Sequence, residues 1–279
     1  MKGDVASAPI GVFDSGVGGL SVLAELKRTL PHEHFVYYAD TAHCPYGERD
    51  PDDIGTLTLR GVRWLEAQGC KLVVIACNTA CAFSLASVRS QVGVPVVGLV
   101  PALKPAAEQS RSRVVVVFAT PVTLEGSLLA DVVHRAAEPL GVRVLKVWHR
   151  ELVPLVEAGQ ADSPRSRDLL RDLLTPAVQD GADALVLGCT HYPFLTPAIR
   201  AEFGDTFALH DSGPGVARRA RALLEAAGHL TGRLAGGETR LYTTADADRT
   251  RAVALHLHPG LFEVTDLHLV SAGAVGVQA

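Results

Sequence analysis

The sequence predicts an α/β protein built from two related halves. Strand and helix patterns alternate from residue 9 onward, the arrangement that builds a parallel sheet with helices on its faces. The strands are short, nearly continuous apolar runs, as expected of strands buried on both faces. The pattern then starts again near residue 114.

Residues 9–13 read as a first strand, followed by Leu20, Leu23, Leu26 and Leu30 at helical spacing until Pro31 stops them. Residues 34–39 form a second strand. A helix opens at Asp50-Pro51, a capping residue with proline at the first helical position. It carries Ile54, Leu57, Gly61 and Trp64 on one face and ends near Gly69. The spacing predicts a third strand over 71–76, a helix over 79–91 and a fourth strand over 94–97. Strands at 114–118, 142–147, 184–187 and 207–209 follow, with helical stretches between them. A turn at Ser212-Gly213-Pro214 leads into a helix through Leu224. Beyond a Gly-rich loop near Gly236, strand patterns occur at 239–243 and 261–267, and a tail of small residues is expected to be mobile.

Composition narrows the function. The chain has 279 residues, 48% hydrophobic and 20% charged, with a mean hydropathy of +0.21, which excludes general disorder and is enough for two domains. A formal net charge of -4 gives no bulk field that would draw in nucleic acid or an acidic membrane surface. No apolar run reaches membrane-spanning length, and MKGDVASAP places an acid where a signal peptide would be apolar, so a cytoplasmic protein is expected. The five cysteines, at 44, 70, 77, 81 and 189, lie mostly in or beside apolar runs and are expected to be reduced.

Two of those cysteines occupy matched places. IACNTA (75–80) and VLGCTHYP (186–193) both read as apolar strand, small residue, cysteine, then a polar residue leading toward a helix. The interval from Asp14 to Cys77 is close to that from Thr120 to Cys189, so each half delivers a cysteine to the C-terminal edge of its third strand. Open α/β sheets bind ligands at that edge. A thiol near free helix N–H groups has its pKa lowered toward neutrality and becomes a usable base. One such cysteine alone reads as an inert core residue. Two matched ones point to a two-base proton transfer at carbon, in which one thiolate removes a proton and the other thiol returns one on the opposite face.

Neighbouring residues suit a small substrate bearing a carboxylate. Ser15, Asn78, Thr79 and Thr190 are neutral donors at strand-to-helix junctions, and each taken singly also reads as a helix cap. His191 can exchange protons with Cys189. Tyr46 and Gly47, in DTAHCPYGERD, reach the same edge from the second strand, where the bland reading is a proline turn with His43 and Cys44 exposed. Two other chemistries stay open. A zinc site could recruit Cys77, Cys81, Cys189 and His191. VFDSGVGGLS with Asp40 resembles a dinucleotide loop, but Ser21 stands at the third glycine position and Asp14 would set a carboxylate against the phosphates.

The stretches GVFDSGVGGLSVL, YYADTAHCPYGERD, ACNTA, LVPLVEAG, LGCTHYP and DSGPGVARR run in order over nearly the whole chain. On them the sequence resembles the glutamate racemases of the cofactor-independent aspartate/glutamate racemase family. The resemblance implies two pseudo-symmetric flavodoxin-like domains with parallel sheets, one of residues 1–98 plus 210–279 and one of 99–209, and an interdomain active site. It implies Cys77 and Cys189 as catalytic bases, Asp14 assisting the first thiol, and Glu157 and His191 assisting the second. Asp14, Ser15, Tyr46, Gly47, Asn78, Thr79, Thr190 and His191 match substrate-binding positions, with Thr120 and Thr123 as further candidates. It also implies glutamate as substrate, D-glutamate supply for peptidoglycan, no metal or organic cofactor, and a homodimer. The chain departs from many members in having His149-Arg150 before the VPLVE stretch that carries Glu157, and in lacking a glutamate within GLVPALKP. An aspartate racemase and a non-catalytic amino-acid-binding protein are the competing expectations.

Overall fold

A computed structural model describes residues 5–260 and 267–269. The chain alternates β1 (Ile10–Asp14), α1 (Leu20–Thr29), β2 (Phe35–Ala39), α2 (Pro51–Ala67), β3 (Leu72–Ile75), α3 (Asn78–Gln91) and β4 (Val96–Val97). It continues through α4 (Leu103–Gln109), β5 (Val114–Phe118), α5 (Pro121–Glu125), α6 (Ser127–Val132), β6 (Arg143–Val147), α7 (Leu152–Glu157), α8 (Pro164–Gln179), β7 (Ala184–Leu187), α9 (Thr196–Phe203) and β8 (Ala208–Asp211). The last elements are α10 (Gly213–Ala227), β9 (Thr239–Thr243), α11 (Ala247–Leu257) and β10 (Leu267–Leu269). The strand pattern read over 261–267 lies outside the described residues except for Leu267, and so does the tail. Among the described residues, no helix is long and apolar enough to cross a membrane.

Contacts divide the chain into two units, Met1–Leu99 with Gly213–Ala279, and Val100–Ser212. The first contains a six-stranded parallel sheet in the order β10-β9-β2-β1-β3-β4, and the second a four-stranded parallel sheet in the order β6-β5-β7-β8. Four strands of the first sheet, β2-β1-β3-β4, repeat the order of the whole second sheet when strands are counted from the start of each half. Register sharpens the match. Phe13 pairs with Ile75 in one sheet and Phe118 with Leu187 in the other, so the two phenylalanines are counterparts. Thr120 is therefore the counterpart of Ser15, one residue away from the Asp14 equivalence that interval length alone suggests.

Burial explains the strand sequences. β1, β2, β3 and β7 are buried at every position because helices cover both faces, which leaves no place for an alternating polar residue. α2 approaches the first sheet closely because Gly61 has no Cβ: one built there would lie 2.3 Å from the Phe13 ring. Asp50 is the N-cap of α2 and Pro51 follows it, but the Asp50 side chain makes no capping bond, so the helix start rests on the proline. In the second unit Thr120 and Ser163 do cap α5 and α8, accepting from the N–H of Thr123 and Ser166. α11, which packs beside β10, had no reading in the sequence. Its N-cap Asp246 accepts from the N–H groups of Asp248 and Arg249.

Candidate active site

In the first unit the site residues gather at the C-terminal ends of β1, β2 and β3. Cys77 follows β3 as the N-cap of α3, where its sulfur accepts the Ala80 N–H at 3.4 Å and lies 3.7 Å from Ser15 Oγ. Asp14 ends β1, wholly buried, and its Oδ2 accepts the N–H groups of Gly16 at 3.1 Å and Gly19 at 2.9 Å. The glycine-rich turn thus spends its amides on the protein's own carboxylate. That removes the dinucleotide reading, in which the same amides would cradle a pyrophosphate.

Burial pushes the Cys77 thiol well above the ordinary cysteine range, and the Asp14 charge pushes it further. The hydrogen bonds from Ala80 and Ser15 act the other way and are outweighed. This corrects the expectation of a thiol lowered toward neutrality by its helix N-terminus. The helix is present, but the sulfur is buried and lies near the Asp14 carboxylate. Cys77 therefore rests as a thiol at neutral pH.

Asn78 and Thr79 occupy the first turn of α3 and are buried, with no hydrogen-bond partner at Asn78 Oδ1. Tyr46 is buried in a short turn after β2, followed by half-buried Gly47. Its hydroxyl donates to Asp40 Oδ2 at 2.7 Å, and burial together with that charge holds its proton tightly. Asp40 Oδ1 accepts from Thr244 Oγ1 at 2.9 Å and lies 2.8 Å from His43 Nδ1. Both Asp40 oxygens are thus engaged in tying down the loop, which leaves no ribose acceptor there. His43, read as an exposed loop residue, is part of this knot.

The second unit places its cysteine in the same way and equips it differently. Cys189 lies two residues beyond β7, after Gly188, where a Cβ would come within 2.9 Å of Ala119. A 3-10 turn over Tyr192–Leu195 follows and runs directly into α9, the helix toward which the sequence pattern leads. The Cys189 sulfur is 3.6 Å from His191 Nδ1, and His191 Nε2 is 2.6 Å from Glu157 Oε1. Glu157 ends α7, so the departure at His149-Arg150 has not displaced it from His191. A carboxylate at that distance favours the tautomer protonated at Nε2, which turns an unprotonated Nδ1 toward the sulfur. Thr190 is buried between Cys189 and His191, and Thr120 Oγ1 lies 3.0 Å from Thr123 Oγ1.

Other groups complete the picture. Cys81 accepts the Leu99 N–H at 3.2 Å and lies 3.4 Å from the Ile75 carbonyl, so it serves the packing of α3 and is not available to the zinc reading. Sequence reasoning missed Tyr37, whose hydroxyl is 2.8 Å from the Gly16 carbonyl, and the stacking of Phe118 on Tyr192 at 4.2 Å between ring centroids. Both read only as core aromatics, and no local signal separates them from the rest.

Two parallel sheets of matched strand order each end a strand in a buried cysteine, one beside a carboxylate and one beside a histidine, an arrangement suited to acid–base chemistry. Residues 10–214 match the family described as Asp/Glu/Hydantoin racemase, and the chain belongs to that family. Glutamate racemase of Deinococcus radiodurans is 58% identical over 255 residues, covering 91% of this chain and 88% of that protein. The crystal structure of glutamate racemase isoform RacE1 from Bacillus anthracis is similar at a TM-score of 0.84 and 28% identity, over 95% of this chain and 98% of that one. Escherichia coli glutamate racemase, solved with L-glutamate and the activator UDP-MurNAc-ala, matches at a TM-score of 0.81 and 32% identity, over 95% and 98%.

Proposed function

We propose that the protein interconverts L- and D-glutamate with Cys77 and Cys189 as its two bases. The observation that supports this best is the repeat itself: the same strand order delivers a cysteine to the same place twice, once beside Asp14 and once beside His191. Glutamate as the substrate is supported by the high identity to proteins named glutamate racemase.

One thiolate takes the Cα proton and the other thiol delivers a proton to the opposite face, which inverts the centre. A Cα proton is very weakly acidic, so fixed donors must stabilise the developing negative charge. Ser15, Tyr46, Gly47, Asn78, Thr79, Thr190 and His191 bind the substrate in this reading. Cys77 carries its proton in the resting protein, so it acts first as the acid. Asp14 receives that proton when the reaction runs the other way. On the second side His191 relays the Cys189 proton, with its orientation fixed by Glu157.

The same reading makes the enzyme a cytoplasmic homodimer that supplies D-glutamate for peptidoglycan. Comparing turnover of glutamate and aspartate by the purified protein tests the substrate assignment. Racemisation of glutamate at least about tenfold faster in kcat/KM, a difference of about 1.4 kcal/mol in transition-state binding, is expected. A preference for aspartate would reassign the substrate, and binding of glutamate without any exchange at Cα would make the protein a non-catalytic binder.

A further inference from the structure

Tyr37 lies on β2 with no exposed surface, in a strand buried at every position. A phenol there needs a hydrogen-bond partner, because a hydroxyl buried without one is costly. Its hydroxyl lies 2.8 Å from the Gly16 carbonyl and 3.5 Å from Asp14 Oδ2. Both acceptors belong to the turn between β1 and α1, the segment that holds a carboxylate beside Cys77. Phenylalanine would fill the same core volume, so the oxygen serves the turn.

The turn is closed tightly over that hydroxyl. A Cβ on Gly19 would lie 2.8 Å from the Tyr37 oxygen, 2.8 Å from Asp14 Cβ and 3.0 Å from Ala76 Cβ. Any side chain at Gly19 would therefore push the turn and the phenol apart. The phenol has a single proton, and both of these acceptors lie within its reach. Given to the Gly16 carbonyl, that proton pins the turn; rotated about the C–O bond, it reaches Asp14 Oδ2, which already accepts two amide protons. One hydroxyl can hold the turn while the Asp14 carboxyl is neutral and support the carboxylate when it is charged.

We infer that Tyr37 is a positioning residue for proton transfer at Cys77, acting through Asp14 by fixing the β1–α1 turn and donating to Asp14 Oδ2. The inference rests on the reading of Cys77 as a base assisted by Asp14. Loss of a donor makes a carboxylate bind its proton more tightly, so the acid limb of the pH–rate profile moves to higher pH when the hydroxyl is removed.

The test is a double-mutant cycle on the full-length enzyme, with kcat and KM for both glutamate enantiomers measured across pH for the wild type, Tyr37→Phe, Asp14→Asn and the double variant. Tyr37→Phe is expected to lower kcat about three- to tenfold, to leave KM within about twofold, and to raise the acid limb. In the Asp14→Asn background it should cost nothing more. Gly19→Ala, which forces the turn off the phenol from the other side, should move the same limb. Equal losses in both backgrounds, an unmoved limb in both Tyr37→Phe and Gly19→Ala, or a Tyr37→Phe enzyme with wild-type rates would each overturn the inference. Wild-type racemisation by Asp14→Asn would instead overturn the role of Asp14 itself, and the inference with it.

Discussion

At the tip of β3 the Cys77 thiol has a carboxylate beside it, whereas at the tip of β7 the Cys189 thiol has an imidazole backed by a carboxylate. Strand order and register are the same around both sulfurs, so the sheet decides where a thiol sits. The loops decide how it is equipped. A buried thiol next to a negative charge keeps its proton, while a histidine held at Nε2 by Glu157 can take a proton from sulfur or return it. The repeat thus provides two positions, and divergence of the turns that follow makes them chemically unequal.

The feet of the same two strands show the same lesson. Lys71 precedes β3 as Asp183 precedes β7. Lys71 is buried and its Nζ lies 2.5 Å from Glu33 Oε2 while also donating to the Ala6 carbonyl. Burial would raise the pKa of half-buried Asp183, but the hydroxyl of Ser110 and the N–H groups of Ser112 and Arg111 outweigh it and hold the carboxyl below its usual range. One half closes the end of its strand with a buried ion pair and the other with a capped carboxylate.

The sharpest way to break the comparison is to remove the sulfurs. Cys77→Ser and Cys189→Ser should each lower kcat about 10²–10⁴-fold in a polarimetric assay, since in the proposed mechanism each sulfur carries one proton. A dispensable thiol would mean that the repeat is structural on that side. At the strand feet, Lys71→Met leaves Glu33 buried without its cation and should cost about 3–5 kcal/mol in denaturant unfolding. A loss near zero would show that the pair has no structural role.

Smaller effects sharpen the contrast between the two partners. Glu157→Gln replaces a charged acceptor of the His191 proton with a neutral one and should lower kcat about 10- to 100-fold, with KM changed less. Asp14→Asn tests the other side by pH. The Asp14 charge raises the Cys77 pKa, so its removal should bring the pH midpoint for alkylation of Cys77 downward, while Ser15→Ala, which removes a bond to the thiolate, should move it upward. Mass-spectrometric alkylation rates at Cys77 across pH would read both shifts, and shifts of opposite sign to these would contradict the electrostatic account.

Much of this was legible in the sequence because the signals are local. Apolar runs ending in Cys77 and Cys189 announce buried strands with chemistry at their tips, and the restart of the pattern announces the repeat. The thiol's proton affinity was not legible. The helix N-terminus behind Cys77 is visible in ACNTA, but the burial and the Asp14 charge that outweigh it come from residues distant in sequence. Tyr37 and Phe118 were hidden for the same reason: each is an aromatic in an apolar strand, and only tertiary placement turns one toward Asp14 and stacks the other on Tyr192. Asp40 shows the converse. Its position suggested a ligand acceptor, yet its oxygens are taken by Tyr46, Thr244 and His43.

The central claim is that two separate thiols exchange protons with one carbon. It is tested most directly by racemising L-glutamate in deuterated water and following both enantiomers by chiral separation and mass at Cα. In the two-thiol account the proton removed and the proton delivered reside on different sulfurs, so the D-glutamate formed at the earliest times carries deuterium at Cα while the unreacted L-glutamate remains protiated. D-glutamate that retains the original hydrogen would contradict it, because a single group would then have carried one proton across both faces.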